Sequence, residues 1–205
     1  VDWVLFLENM GAQDTPVIEN VQALDLRVGD GSSKGPVTLH QLQGDACGDQ
    51  SFKPLDTVIE VGKSIRMAPS GGRPSNTSAF PFFNLQYAGS GMIAAIGWSG
   101  QWAATFDRTE AGPTRVAAGM ELTHLLLHPG EKIRTPRIVM MPWKGDRTAA
   151  HNRWRRLLLF HYVPRNNGKP ARIPIAMQCF DRYSGSRPDW ATEAGQILAA
   201  KSAYE

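Results

Sequence analysis

By residue type, the chemistry in this chain rests with five histidines, two cysteines and scattered carboxylates, and spacing decides how much of it they can do together. His124 and His128 stand four residues apart, the spacing that presents two imidazoles to one ion on a helix. The surrounding ELTHLLLH ends in Pro129-Gly130 and reads as a strand, where the two rings would lie about 13 Å apart, too far for one metal. His151 and His161 fall ten residues apart on an expected helix and are read as packing or bonding locally. Ser99 in GWSGQW lacks the Gly-x-Ser-x-Gly spacing of a nucleophile elbow and has strand-like flanks, so it is read as a hairpin turn. Asp107, Glu121, Asp146 and Asp181 are scattered, and no two are placed as the facing pair that glycoside cleavage needs. The expectation is therefore no catalytic residue, no metal site and no cofactor in this chain. Cys47 and Cys179 are far apart in sequence and are read as two small semi-buried thiols, with their pairing left open.

Aromatic residues remain. Trp98, Trp102 and Trp143 each sit near Gly or Pro, where an indole face can serve as a platform for the apolar side of a sugar. The same three residues would serve equally as core or hinge packing, because a tryptophan buries a large area wherever it sits. Both readings stay open, and the three are the candidate substrate-binding residues.

The elements that must position these groups are mostly strands. Val1 to Asn9, Val17 to Val28 (with one slip suggesting a bulge), Val37 to Leu42, Phe52 to Val61 and Ser64 to Ala68 read as extended runs between turns. Phe82 to Tyr87, Met92 to Trp98 and Gln101 to Asp107 follow as successive hairpins across AGSG and SG. Glu121 to Leu127 pairs with Lys132 to Met141 across HPGE, and Ile173 to Phe180 makes a final strand. The block from Pro129 to Arg165 organises the whole. It breaks at Pro142 to Gly145 and becomes an Arg-rich helix at about 146–161, capped by Asp146, with Trp154, Leu157, Leu158 and His161 on its apolar side. The tail from Trp190 to Tyr204 reads as a second helix with Thr192 as cap. Many short strands, abundant Gly and Pro and one or two helices predict a mainly β chain, an antiparallel β-sandwich with one helix as its lid.

Composition narrows the function classes. A formal net charge of +3 over 205 residues, with the arginines gathered on one helix, does not supply the broad basic face of a nucleic-acid binder. No apolar run is long enough to cross a bilayer, so no membrane partner is expected, and nothing in the chain assigns a compartment. Asn76-Thr77-Ser78 matches the glycosylation pattern without a secretory context to support it.

Four stretches, WVLFLENMGAQDTPVIENVQALD, RPSNTSAFPFFNLQYAGSGMIAAIGWSGQW, LHPGEKIRTPRIVMMPWKGD and HNRWRRLLLFHYVPR, resemble the N-terminal β-supersandwich domain of glycoside hydrolase family 36 alpha-galactosidases. The resemblance implies a galactose-mutarotase-like supersandwich over residues 1–187 and a helical linker over 188–205. That linker would lead to a (β/α)8 barrel carrying both catalytic aspartates of a retaining enzyme. The expectation is thus a fragment, clipped at its N-terminus, that hydrolyses nothing by itself. Its partner is its own C-terminal barrel, with galactosides and a homo-oligomer as further partners the family would allow. The loops GWSGQW and SGGRPSNTS are the positions implied to wall the barrel's sugar pocket. An independent carbohydrate-binding module is the alternative. A sugar-epimerase-type enzyme is a third, weaker reading, since fold does not fix function.

Overall fold

Runs of alternating buried and exposed side chains, cut by glycine, proline and asparagine, build a two-layer β structure. The computed structural model describes residues 1–29, 35–109, 113–171 and 192–204. In chain order the strands are β1 (Asp2–Trp3), β2 (Phe6–Glu8), β3 (Ile18–Glu19), β4 (Gln22–Val28), β5 (Val37–Leu42), β6 (Pro54–Ile59) and β7 (Lys63–Met67). They continue as β8 (Phe82–Tyr87), β9 (Ser90–Gly97), β10 (Trp102–Arg108), β11 (Thr114–Met120), β12 (His124–Leu125), β13 (Lys132–Arg134) and β14 (Arg137–Lys144). Helix α1 (Arg147–His161) follows, then β15 (Arg165–Asn166), β16 (Lys169–Pro170) and α2 (Glu193–Tyr204). The chain divides into two compact units, Val1–Leu157 and Leu158–Glu205.

The first unit is the sandwich. Its larger sheet has six strands in the order β1-β14-β9-β8-β5-β6, and its smaller has four in the order β4-β11-β10-β7. Neighbouring strands in both run antiparallel. Leu39, Leu85, Ala94 and Ile96 of the larger sheet and Leu24, Phe106, Val116 and Trp102 of the smaller all lie in one buried core. Phe83 meets Phe106 edge to face, ring centres 4.8 Å apart, an arrangement that aligns the positive edge of one ring with the negative face of the other. Full burial of each such side chain contributes about 1.5–3 kcal/mol, and this core is the main stabilising term of the unit.

Several expected pairings differ. The connection from Gly97 to Trp102 is short enough for a hairpin, yet it turns a corner: β9 belongs to the larger sheet and β10 to the smaller. A Cβ at Gly100 would lie 2.9 Å from the Trp98 indole nitrogen, and Trp102 is drawn into the core between the sheets. Residues 121–127 and 132–141 do not pair with each other. The N-terminal segment supplies partners instead, β12 joining β3, β13 joining β2 and β14 joining β1, while the other edge of β14 pairs with β9. The bulge expected in 17–28 is present: Ala118 pairs with Leu24 and Gly119 with Gln22, so Ala23 is the extra residue, and a separate break falls at Asn20, whose φ is 51°. A Cβ at Gly119 would sit 2.2 Å from the carbonyl oxygen of Val21, so the bulge requires glycine there. Strand β14 also runs straight through Pro142. The amide of Met140 points at Val1 O (2.8 Å), so position 142 faces the same way, past the stretch β1 covers, where a missing donor costs nothing.

Asp146 caps α1 as expected, its Oδ2 accepting the Ala149 amide at 2.7 Å. In the second unit Thr192 caps α2, accepting the Gly195 amide at 3.2 Å. Cys47 is exposed, against the semi-buried expectation, because it sits in a turn with φ 55°. The expected strand at 173–180, Cys179 and the expected boundary at 187/188 lie outside the described residues.

Candidate functional site

The outer face of the larger sheet, away from the core, carries a row of polar side chains set by strand register. His40 of β5 stands opposite Asp56 of β6 on one side and Asn84 of β8 on the other, and Asn84 stands opposite Ile93 of β9. Over this row lies the N-terminal part of α1, where Arg147, His151, Trp154 and Arg155 share one face at helical spacing. Trp154 is buried there and meets Phe82 edge to face at 6.0 Å. Between sheet and helix is a cleft of about 380 Å³, walled on the apolar side by Leu42, Pro54, Phe82, Ile93 and Trp154 and on the polar side by His40, Asp56, Asn84, Arg147, His151 and Arg155.

Two hydrogen-bonded groups make its floor. His40 Nδ1 is 2.7 Å from Asp56 Oδ1 and its Nε2 is 2.9 Å from Gln86 Oε1. The Arg147 Nη1 lies 2.8 Å and 2.9 Å from the two ring nitrogens, an equidistance that only a position over the ring face satisfies, and 3.8 Å from Asp56 Oδ2. In the second group the indole N–H of Trp143 donates to Asn84 Oδ1 at 2.9 Å. An indole N–H can only donate, so the amide is oriented, and Asn84 Nδ2 must donate to His151 Nε2, 2.9 Å away. His151 is thereby held neutral, with its proton on Nδ1. Burial pushes its pKa below the usual 6.5, with the Arg147 and His40 charges acting the same way and Asp56 opposing. Trp143 rests on Gly91, where a Cβ would come 2.7 Å from the ring.

The sequence-chosen tryptophans lie elsewhere or serve otherwise. Trp102 is fully buried in the core and donates to Pro74 O at 2.7 Å, so its ring has no face to offer a sugar. Trp143 is 6% exposed and acts through Asn84 rather than as a platform. Trp98 is half-buried, and the Arg134 guanidinium covers its ring at 5.3 Å. His124 and His128 point to separate acids, Glu19 at 2.5 Å and Asp14 at 2.8 Å. The Asp14 contact holds the His128 pKa above the ordinary value. Among the described residues no three His, Cys, Asp or Glu side chains gather as a metal site would require. The residues that sequence reading passed over, His40, Asp56, Asn84 and Gln86, carried one signal: each is polar at the outward position of an alternating strand.

No family model matches the chain, and no curated protein matches it. Solved structures do. The galactosidase domain of an alpha-galactosidase-sucrose kinase superposes with TM-score 0.64 at 19% identity, over 81% of this chain and 23% of the other. The alpha-galactosidase from Lactobacillus brevis gives 0.58 at 16% identity, over 75% and 21%. A GH36 alpha-galactosidase from Geobacillus stearothermophilus, in complex with 1-deoxygalactonojirimycin, gives 0.57 at 18% identity, over 78% and 22%. The chain thus spans between a fifth and a quarter of the length of each. The β-sandwich resemblance read in the sequence is met at the level of fold: this chain has the architecture of one part of GH36 alpha-galactosidase chains.

Proposed function

We propose that the chain is a non-catalytic β-sandwich domain of an alpha-galactosidase-like glycoside hydrolase, one that packs against a barrel and helps wall its sugar site. The observation that carries this reading is the fold match, which takes in most of this chain but less than a quarter of the matched enzyme chains. Retaining cleavage needs two carboxyl groups about 5–5.5 Å apart. The cleft has Asp56 as its one carboxylate among the described residues. The two loops expected to reach a neighbouring pocket support the reading too. Trp102 and Gln101 donate to Pro74 O and Pro69 O, each at 2.7 Å, which ties the 97–102 and 69–78 segments into one surface. Leu159 and Phe160 of α1 and Ile197 of α2 are 47%, 61% and 49% exposed, apolar area of the kind a packed neighbour would cover.

Hydrogen exchange tests the docking. In a polypeptide that joins this chain to a following barrel, amides around 159–160 and 197 should exchange more slowly than in the chain alone. Equal rates in both would count against the domain role. The competing reading, a free-standing carbohydrate-binding module, requires tight galactose binding that Trp98→Ala abolishes. Calorimetry should find weak binding or none, in keeping with the cover that Arg134 puts over the Trp98 ring.

A further inference from the structure

We propose that the cleft under α1 binds a monosaccharide-sized ligand bearing a carboxylate or phosphate group, gripped by Arg147, Arg155 and the Nδ1–H of His151 and packed against Phe82 and Trp154. The inference goes beyond the domain role and does not depend on it.

The cleft's unspent hydrogen-bonding capacity decides the ligand's charge. Three of its acceptors are engaged: Asp56 Oδ1 and Gln86 Oε1 face His40, and Asn84 Oδ1 holds the Trp143 indole. Asp56 Oδ2 lies 3.8 Å from Arg147, an ion pair longer than a hydrogen bond. What remains is donors. His151 Nδ1 must carry a proton, since Nε2 accepts from Asn84, and it has no partner among the described residues. The Arg155 guanidinium lines the cleft without a hydrogen bond or ion pair among those residues. Arg147 spends one nitrogen over His40 and keeps the rest of its donor fork. Two guanidiniums and a neutral imidazole against one carboxylate leave an electropositive, donor-rich pocket, the complement of an anion.

Helix chemistry points the same way. Arg147 is the first residue of α1, whose first turn contains no acid. A cation at a helix N-terminus opposes the helix dipole, so helix stability does not explain it. The geometry over His40 and beside Asp56 explains how it is held, and its position at the cleft explains its use.

Size and walls set the rest of the ligand. About 380 Å³ lies in the range of small-molecule sites and exceeds what a bare ion fills. The Phe82 and Trp154 rings give a carbon skeleton something to pack on, which inorganic phosphate lacks. A neutral hexose would fill the space but leave the Arg155 guanidinium without a counter-charge.

Calorimetric titration of the whole chain at low salt and neutral pH provides the test, with galacturonate, galactose 6-phosphate, galactose and inorganic phosphate as probes. At least one of the two charged sugars should bind, at least about tenfold more tightly than galactose or phosphate, since a hydrogen bond to a charged group is worth a factor of ten or more. The uronate and phosphate-ester arms tell the two sources of charge apart. Arg155→Ala removes an exposed side chain and should leave melting unchanged while weakening binding about tenfold or more. His151→Ala should weaken it as well. Galactose binding as tightly as the charged sugars, no binding by either charged sugar, or full affinity in both variants would each overturn the proposal.

Discussion

The two faces of the larger sheet are built from the same strands by opposite rules. On the inner face Leu39, Leu85, Ala94 and Ile96 pack without direction against the smaller sheet. On the outer face His40, Asn84 and Gln86 alternate with them along β5 and β8, and helix α1 covers the polar row. Burial on the inner side is additive and non-directional, so its loss is measured in area and cavity volume. Burial on the outer side rests on donor–acceptor pairing in a chain, where removing one member strands the others. The inner face holds the fold together, and the outer face fixes side-chain orientation around a cleft.

That contrast can be broken or sharpened in order of effect. Leu85→Ala on the inner face should cost about 2–5 kcal/mol, read as a lower denaturant midpoint with little change in outer-face geometry. Asn84→Leu on the outer face is close in size, yet it leaves the Trp143 indole and His151 unpaired. It should cost about 1–3 kcal/mol and shift Trp143 fluorescence, where a purely apolar role for position 84 predicts no loss. Asp146→Ala removes the helix cap, should cost about 1 kcal/mol, and should loosen the cleft before it loosens the sandwich.

The smallest effect is on pH dependence. The pKa of His151 is lowered in the fold, so the unfolded chain binds its proton first as pH falls. The stability this group contributes is complete above about 6.5 and declines as pH drops below that value. His128 behaves oppositely: its raised pKa gives stability below about 6.5 that is lost as pH rises through the folded value, weakened by exposure to solvent. Melting curves of native protein and His151→Phe should therefore diverge in slope on the acid side, and parallel curves would contradict the neutral, Asn84-bonded imidazole.

Much of the sandwich was legible in sequence because its signal is local. Phe82–Tyr87 alternates along its length and Val37–Leu42 over its first four residues, and both strands run between the residues the pattern predicts. The run MIAAI in β9 reads as continuously apolar because both its faces are covered, the inner by the core and the outer towards α1. Strand β11 was not recognised: TRVAAGM offers few large side chains, and its burial comes from its neighbours. The cleft was less legible for a different reason. His40 meets Gln86 across 46 residues and Asn84 meets His151 across 67, so the constellation depends on strand register and helix docking that no local pattern encodes. The tryptophans chosen for their loop positions were drawn largely into packing, because the corner at 97–102 buries Trp102 between sheets.

The central claim, that the groups which break a glycosidic bond lie outside these residues, is tested most directly by incubating the purified chain with a chromogenic alpha-galactoside. No release of chromophore above the uncatalysed rate is expected, even at protein concentrations comparable to substrate. Turnover that copurifies with the folded chain and is lost on unfolding it would contradict the account.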